Sequence, residues 1–221
     1  MTKHEQNPTV LVTGASRGLA ARLCREYAEA GWRVIATARR PEHPDQLALD
    51  VGEEKSIAAL ARDLAGGPID LLINNAAILG DTGGIASLRT AEFIEVMRVN
   101  TLGPLLVFRA LLPNLLAGQR RLVANISSRV GTVAGLDEDG DYAYRCSKAA
   151  LNLATAKLAY DYGDRGLTIV ALHPGWVKTD MGGPDARLTV EESASKVKSV
   201  LDRVTAADGG KLLSYDGTRL A

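Results

Sequence analysis

The sequence has 221 residues, 46% of them hydrophobic and 24% charged, which suits one compact domain spanning 1–221 with a packed core. Lys+Arg and Asp+Glu both total 26, so the formal net charge is zero, which argues against a broad basic surface and hence against a nucleic-acid partner. Cys24 and Cys146 are the only cysteines, and their spacing fits neither a disulfide scaffold nor a metal site but a reducing compartment.

The first ten residues, MTKHEQNPTV, are polar, with no apolar signal core, and no 18-residue apolar run follows. A cytoplasmic protein without a membrane partner is therefore expected. TVLVTGAS is a short β-branched run ending in a glycine turn, and RGLAARLCREYAEAG reads as a helix, with Leu19, Leu23 and Tyr27 spaced by four and Gly31 as the stop. WRVIATA is a second strand, followed by the charged turn RRPEHPD, and LALDV (47–51) is a brief third. EEKSIAALARDLAGG is a helix with a glycine stop, and IDLLINNAA is a continuous apolar strand buried on both faces. TAEFIEVMRVNTLGPLLVFRALLPNLLAG is long and helical, with an interruption expected near Gly103 and Pro104. RRLVANISS is a strand, YAYRCSKAALNLATAKLAYDYGD a helix and LTIVALHPG a strand. The loop GWVKTDMGGPDAR, within about 175–190, is a candidate lid, and TVEESASKVKSVLDRV then KLLSYDG give the last helix and strand. Strand and helix alternate throughout. The expected architecture is a single Rossmann-type, doubly wound α/β fold, with a seven-stranded parallel sheet and helices on both faces.

The first turn, VLVTGASRGLA, runs from a strand through Gly14 and Gly18 into a helix. Glycines there let the backbone turn sharply and approach a pyrophosphate, and the helix N-terminus presents unpaired N–H groups. The spacing is neither Gly-x-Gly-x-x-Gly nor a P-loop. An NAD site usually carries a carboxylate at the end of the second strand, on the ribose 2′-hydroxyl. Here that position reads Thr37-Ala38-Arg39-Arg40. Arg39, with Arg17 beside it in the glycine turn, suits a 2′-phosphate, so NADP(H) is favoured over NAD(H).

In DYAYRCSKAA, Tyr144 and Lys148 are four apart and share a helix face, whereas Tyr142 diverges from the lysine by roughly 240°. Cys146 lies about 200° from Tyr144 and is expected to face away and pack. An ammonium group near a phenol favours the phenolate and lowers its pKa, making a tyrosine able to exchange a proton with a substrate oxygen. Ser127 and Ser128 end the preceding strand at the carboxyl edge of the sheet, where such folds bind ligands. A hydroxyl there can hold a carbonyl oxygen, or can simply cap a turn. Ser-His-Asp hydrolysis is disfavoured: Gly-x-Ser-x-Gly is absent, His4 and His43 lie in a polar terminus and a turn, and His173 reads as structural. No cluster suggests a metal.

These segments together resemble the short-chain dehydrogenase/reductase family over nearly the whole length. The matching pieces are TGASRGLA, LDV (49–51), NNAA (74–77), Asn100 in RVNTLG, ISSRVG (126–131), Tyr144-x-x-x-Lys148 and HPGWVKTDM (173–181). YAYRCSKAALN, HPGWVKTDMGG and YDGTRLA look closest to its C-factor and Sniffer-like carbonyl reductases. The resemblance implies that Gly14, Ser16, Arg17, Gly18 and Leu19 hold the cofactor phosphates and ribose, that Asp50 and Val51 contact the adenine, and that Asn75 lines a ribose while Asn74 ties neighbouring strands. Tyr144 and Lys148 also touch the cofactor, and Pro174, Val177 and Thr179 receive its nicotinamide end. It implies Ser128 rather than Ser127 as the family serine, and Asn100 as support for a water relay to Lys148. The departures are Ala20 for the usual third glycine, Ala77 for the glycine of Asn-Asn-Ala-Gly, and the acidic loop LDEDGD (136–141), which bears on substrate specificity.

Two readings follow. One is an NADPH-dependent reductase acting on a ketone or aldehyde, or on the matching alcohol in reverse, with Asn100, Ser128, Tyr144 and Lys148 as catalytic residues. The other is a C-factor-like signalling or scaffold protein that binds the cofactor with little turnover, since C-factor relatives are associated with intercellular signalling. Trp176 and Met181 suggest apolar pocket walls. The resemblance also implies a homodimer or homotetramer through helices 101–116 and 142–163, with Phe108, Leu112, Leu153 and Leu158 as candidate contacts.

Overall fold

The computed structural model describes residues 7–136 and 140–220. His4 and most of the acidic loop, Asp137 to Asp139, lie outside the described residues. The parallel strands are β1 (Thr9–Val12), β2 (Arg33–Ala38), β3 (Gln46–Ala48), β4 (Leu71–Asn74), β5 (Leu122–Ile126), β6 (Thr168–His173) and β7 (Leu212–Ser214). An eighth, β8 (Arg219–Leu220), pairs antiparallel with β7, giving the order β3-β2-β1-β4-β5-β6-β7-β8. The seven-stranded expectation is thus corrected by one short edge strand. The turn at Gly217, φ +88°, sends the chain back beside Leu212 and Leu213, and two residues are too few for a periodic signal.

Burial follows the period of two along each strand. Val10 and Val12 face one core, with α1 (Gly18–Glu29) and α6 (Val190–Arg203), while Leu11 faces the other. That second core is covered by α2 (Glu54–Asp63) and α4 (Gly103–Ala117), with the long α5 (Tyr142–Tyr162) alongside. Phe108 is buried there, edge-on to Tyr162 at 5.1 Å between centroids. Leu112 and Leu158 also pack against this core, so of the proposed interface residues only Leu153 projects into solvent.

The helix expected to break near Gly103 does not. α3 (Thr90–Met97) runs into α4 through a π-helical segment, Arg98–Leu102. The wider turn accommodates Pro104, which lacks an N–H and sits in the first turn of α4. The continuous rod Thr90–Ala117 is long and apolar enough to cross a membrane by length and composition alone, although Arg98 and Arg109 interrupt its apolar residues. Half of its most apolar stretch is buried inside the fold, where Val107, Phe108, Leu111 and Leu115 cover the sheet. β3 is also shorter than expected and ends at Ala48, leaving Asp50 and Val51 in the loop that follows. There the Asp50 carboxylate accepts the Gly52 N–H at 2.9 Å, a local bond that competes with strand pairing.

Candidate active site

All the parallel strands point their carboxyl ends to one edge of the sheet. The strand order reverses between β1 and β4, which opens a crevice there. Two turns meet at it. Gly14, with φ +70°, is so close to the β4 turn that a Cβ would lie 2.9 Å from the Cα of Ala76. The Thr13 hydroxyl joins these turns by accepting N–H bonds from Asn75 at 3.0 Å and Ala76 at 3.1 Å, and the Asn75 amide donates to the Thr13 carbonyl at 3.2 Å. Thr13 had no assigned role in the sequence, although it opens the TGAS segment.

The N-terminus of α1 opens onto the same crevice. Arg17 caps it without a side-chain hydrogen bond, and the first turn holds no acid. Those N–H groups and their partial positive charge are therefore available to an anion. Ser16 is exposed, whereas the side chains of Leu19, Val51 and Val177 are buried. Ala20 is wholly buried, so its methyl fits where a third glycine was expected. Arg39 is exposed just past the end of β2. Arg17 is engaged differently from expectation: its guanidinium pairs with Asp180 at 2.5 Å, between two exposed side chains. The donor set, with arginine rather than carboxylate after β2, fits a phosphorylated dinucleotide.

The segment after β6 crosses back toward this turn. Val177 and Leu188 form a β-bridge, with Lys178 N–H donating to Leu188 O at 2.9 Å and Leu188 N–H to Trp176 O at 3.0 Å. This bridge closes the base of the loop that was read as a lid. Thr179 lies over Gly18, whose added Cβ would meet the threonine methyl at 3.4 Å, and its hydroxyl accepts the Gly182 N–H at 3.1 Å. The Pro174 carbonyl accepts from the Ser193 hydroxyl at 2.8 Å, which ties the loop to α6. His173 is structural in its surroundings. Its Nδ1 has no hydrogen-bond partner, its ring meets Tyr215 edge-on, and burial, aided by Arg129, pushes its pKa down to about 4.

Of the buried polar residues of α5, Arg145 reaches the Gly135 carbonyl and Ser147 meets Asn100, while Lys148 and Thr155 face β5. Tyr144 is half-buried on that side and Tyr142 is 42% exposed, so helix geometry separates the two tyrosines as expected. Lys148 Nζ lies 5.5 Å from the Tyr144 ring centroid and donates to the Ile126 carbonyl at 2.9 Å. The expected lowering of the Tyr144 pKa is not what this geometry gives. Burial pushes the phenol up to about 12, with a smaller push from Asp141, while the ammonium stands over the ring and bonds a carbonyl. Burial also brings Lys148 down to about 8. Cys146 does face away from Tyr144, but into solvent and not into packing.

Ser127 and Ser128 are sorted by their partners. The Ser127 hydroxyl donates to Asn152 Oδ1 at 2.5 Å and is turned into α5. Ser128 is 7% exposed, and its Oγ accepts the Val130 N–H at 3.3 Å, so it does cap a turn. That turn is pressed onto α5: a Cβ on Gly131 would lie 2.6 Å from the Lys148 carbonyl carbon. The turn that Ser128 opens is thereby held against α5 at Lys148. Asn100, buried within the π-helical segment, accepts from Ile78 N–H at 2.8 Å and donates to Ile78 O at 2.8 Å and to Ser147 Oγ at 3.0 Å. Its amide is thus occupied by the β4 loop and α5, and it has no direct bond to Lys148. Asn74 donates to Asn125 at 2.8 Å and Asn125 to Thr155 at 2.9 Å, a buried polar rung across β4, β5 and α5. Ser147, Asn152, Asn125 and Thr155 were not identified from sequence. The i+4 spacing of Asn152 from Lys148 was the one available signal.

A doubly wound parallel sheet, a glycine turn at its switch point and a Tyr-Lys pair at the same edge define an α/β protein of the nucleotide-binding class. Residues 8–187 match the family model described as short chain dehydrogenase, and the chain belongs to that family, whose members are oxidoreductases. The curated protein C-signal of Myxococcus xanthus is 41% identical over 162 residues, covering 73% of this chain and 98% of that protein. Among solved structures, the carbonyl reductase Sniffer of D. melanogaster superposes with a TM-score of 0.91 at 30% identity, covering 98% of this chain and 100% of the other. The NADPH-bound carbonyl reductase from chicken fatty liver superposes with a TM-score of 0.89 at 33% identity, covering 98% and 99%.

Proposed function

We propose that the chain is an NADPH-dependent reductase of a ketone or aldehyde, working in reverse on the matching alcohol, with 1–221 acting as one dinucleotide-binding unit and 175–190 as its substrate loop. The observation that carries this reading is the Tyr144–Lys148 pair held under the Ser128 turn, at the same sheet edge as the open N-terminus of α1. When bound, the dinucleotide supplies the two-electron reducing equivalent. Ser128, next to that edge, donates its hydroxyl to the substrate oxygen as negative charge develops. Tyr144, kept protonated at neutral pH by burial, gives its proton to the same oxygen. The Lys148 ammonium stabilises the tyrosinate that this leaves and bonds the nearby ribose. Asn100 holds the 78 loop against α5 and so positions Tyr144 through Ser147. Gly14, Ser16, Gly18 and the Leu19 N–H bind the pyrophosphate side, while Asn75, Asp50 and Val51 contact the ribose and adenine. Pro174, Val177 and Thr179 take the nicotinamide end.

Preference for NADPH rests on Arg39 and on the missing carboxylate after β2. Arg17 contributes once it exchanges Asp180 for the 2′-phosphate. Apolar side chains exposed around the edge, Val133, Leu136, Trp176 and Met181, favour a substrate with an apolar substituent. The unpaired Cys24 and Cys146 suit a cytoplasmic setting. The test is NADPH oxidation against a panel of carbonyl compounds, with affinities from cofactor fluorescence. NADPH should bind tighter than NADH, and Arg39→Asp should weaken NADPH about 10–100-fold while sparing NADH. Equal affinities in the parent chain would remove the basis for the assignment. The second reading, a signalling or scaffold protein with little turnover, is supported by the 41% identity to C-signal. Tight NADPH binding with no turnover across the panel would favour it.

A further inference from the structure

The loop proposed to contact the adenine is not held by its own chain alone. Val51 is buried against Gly103, where a Cβ would come within 2.9 Å of the Val51 carbonyl oxygen. That fixes one side of the loop. The other side is held by Arg98, the first residue of the π-helical segment. Its Nη1 donates to the Gly52 carbonyl at 2.5 Å and to Glu53 Oε1 at 2.9 Å. Its Nε and Nη2 grip the Glu95 carboxylate in a two-point bond, at 2.7 and 2.9 Å. Within the loop, Asp50 accepts from Gly52 N–H at 2.9 Å, so Gly52 is pinned through both its N–H and its carbonyl.

We propose that Arg98 is a positioning residue for the adenine end of the dinucleotide, acting by clamping the 50–53 loop rather than by touching the ligand. The proposal rests on the reading of this chain as a dinucleotide-binding reductase. A guanidinium has five N–H donors, and four protein contacts occupy Arg98. It is therefore poorly placed to serve as a second 2′-phosphate ligand. Glu95 and Glu53 both raise its pKa, which keeps it charged and engaged. Glu95 also feels Arg39, so Arg98 balances a carboxylate that would otherwise compete for the arginine facing the 2′-phosphate. A loop already ordered before binding costs less affinity than one ordered by the ligand. The benefit should be felt by any ligand carrying adenosine.

The test uses Arg98→Met in the full chain. NADPH and NADH are titrated by fluorescence, adenosine 2′,5′-bisphosphate and reduced nicotinamide mononucleotide are used as competing halves, and hydrogen exchange is followed without nucleotide. Affinity for NADPH, NADH and the adenosine half should each fall about tenfold or more, with the nicotinamide half unaffected. The kcat at saturating NADPH should stay within about threefold of the parent, and the Gly52 amide should exchange faster in the chain alone. Weakening confined to NADPH would mean that Arg98 acts as a charge on the 2′-phosphate, and would overturn the clamp. Equal loss for the nicotinamide half, or no loss at all, would also overturn it. The double variant Glu95→Gln/Arg98→Met removes the carboxylate that the single change leaves uncompensated. Recovery of parental affinity in the double variant would overturn the proposal, and persistent loss supports it. A parent chain that binds neither dinucleotide would defeat the functional reading itself, whereas a binding parent matched by an unaltered Arg98→Met defeats only the clamp.

Discussion

Replacing Lys148 with methionine should abolish turnover and yet stabilise the folded chain near neutral pH. Lys148 is 2% exposed, and burial brings its pKa from 10.5 to about 8. At about 1.4 kcal/mol per pKa unit, holding the ammonium in place costs the folded chain about 3 kcal/mol below pH 8. Methionine removes that cost and fills much of the same volume. It also removes the 2.9 Å bond to the Ile126 carbonyl, and leaving a buried acceptor unpaired costs about 1–2 kcal/mol. The net expectation at pH 7 is a gain of about 1–2 kcal/mol, or about 3–6 °C in Tm for a chain of this size. The pH dependence follows from the direction of the shift. Between about 8 and 10.5 the unfolded parent binds more protons than the folded one, so the parent gains stability as pH rises through that window. The advantage of Lys148→Met should therefore shrink across it and change sign near its top. Urea unfolding of both chains without dinucleotide, at about pH 7 and about pH 10, measures this difference while contributions common to both chains cancel. A variant less stable than the parent at neutral pH, or a gap that stays flat between the two pH values, would refute the reasoning.

The remaining expectations concern the same edge and the assembly. Tyr144→Phe keeps the ring but deletes the proposed proton donor, so turnover of a confirmed carbonyl substrate should fall about 10²–10⁴-fold with NADPH affinity nearly unchanged; the exposed Tyr142→Phe is the matched control, and equal rates for parent and Tyr144→Phe would discard the mechanism. Carbonyl reduction should decline as pH rises through about 8, where Lys148 loses its proton, and a pH–rate profile level to pH 10 would contradict that role. Gly14→Ala should destabilise the chain by about 1–3 kcal/mol, since it combines φ +70° with a Cβ 2.9 Å from Ala76 Cα, as chemical denaturation would register. Light scattering should return two or four times the 23.4 kDa chain mass, and a monomer at working concentration would remove the proposed dimer or tetramer.

The alternation of strand and helix was legible because a strand buried on both faces reads as a short apolar run, and a helix covering it repeats every 3.6 residues. LLIN and LVANI carry that first signal directly. The pairing of Tyr144 with Lys148 was equally legible, since a spacing of four on a helix leaves one geometry. Contacts between elements distant in the chain were not. The Thr13 bonds to Asn75 and Ala76 span more than 60 residues, and Arg98 reaches Gly52 across 46. No local pattern encodes such a meeting. The π-helical joint at Arg98–Leu102 was hidden for a related reason: Gly103-Pro104 reads as a break, and only the packing of α3 against α5 and of α4 on the sheet shows that the helix widens and continues.

The sequence by itself determined the fold class, the glycine turn, the reactive face of α5 and the absence of a carboxylate after β2, all properties of short segments whose geometry is nearly fixed by residue type and spacing. The tertiary structure decided the electrostatics and the partnerships. It lifted Tyr144 to about 12 and lowered Lys148 to about 8 through burial, and turned Ser127 toward Asn152 while leaving Ser128 at the edge. It also engaged Arg17 with Asp180 and directed Asn100 to Ile78 and Ser147. The reason is physical: a pKa depends on how much water the assembled fold removes from a group, and a hydrogen-bond partner on which strands and helices are brought together, and neither quantity exists until the whole sheet has closed.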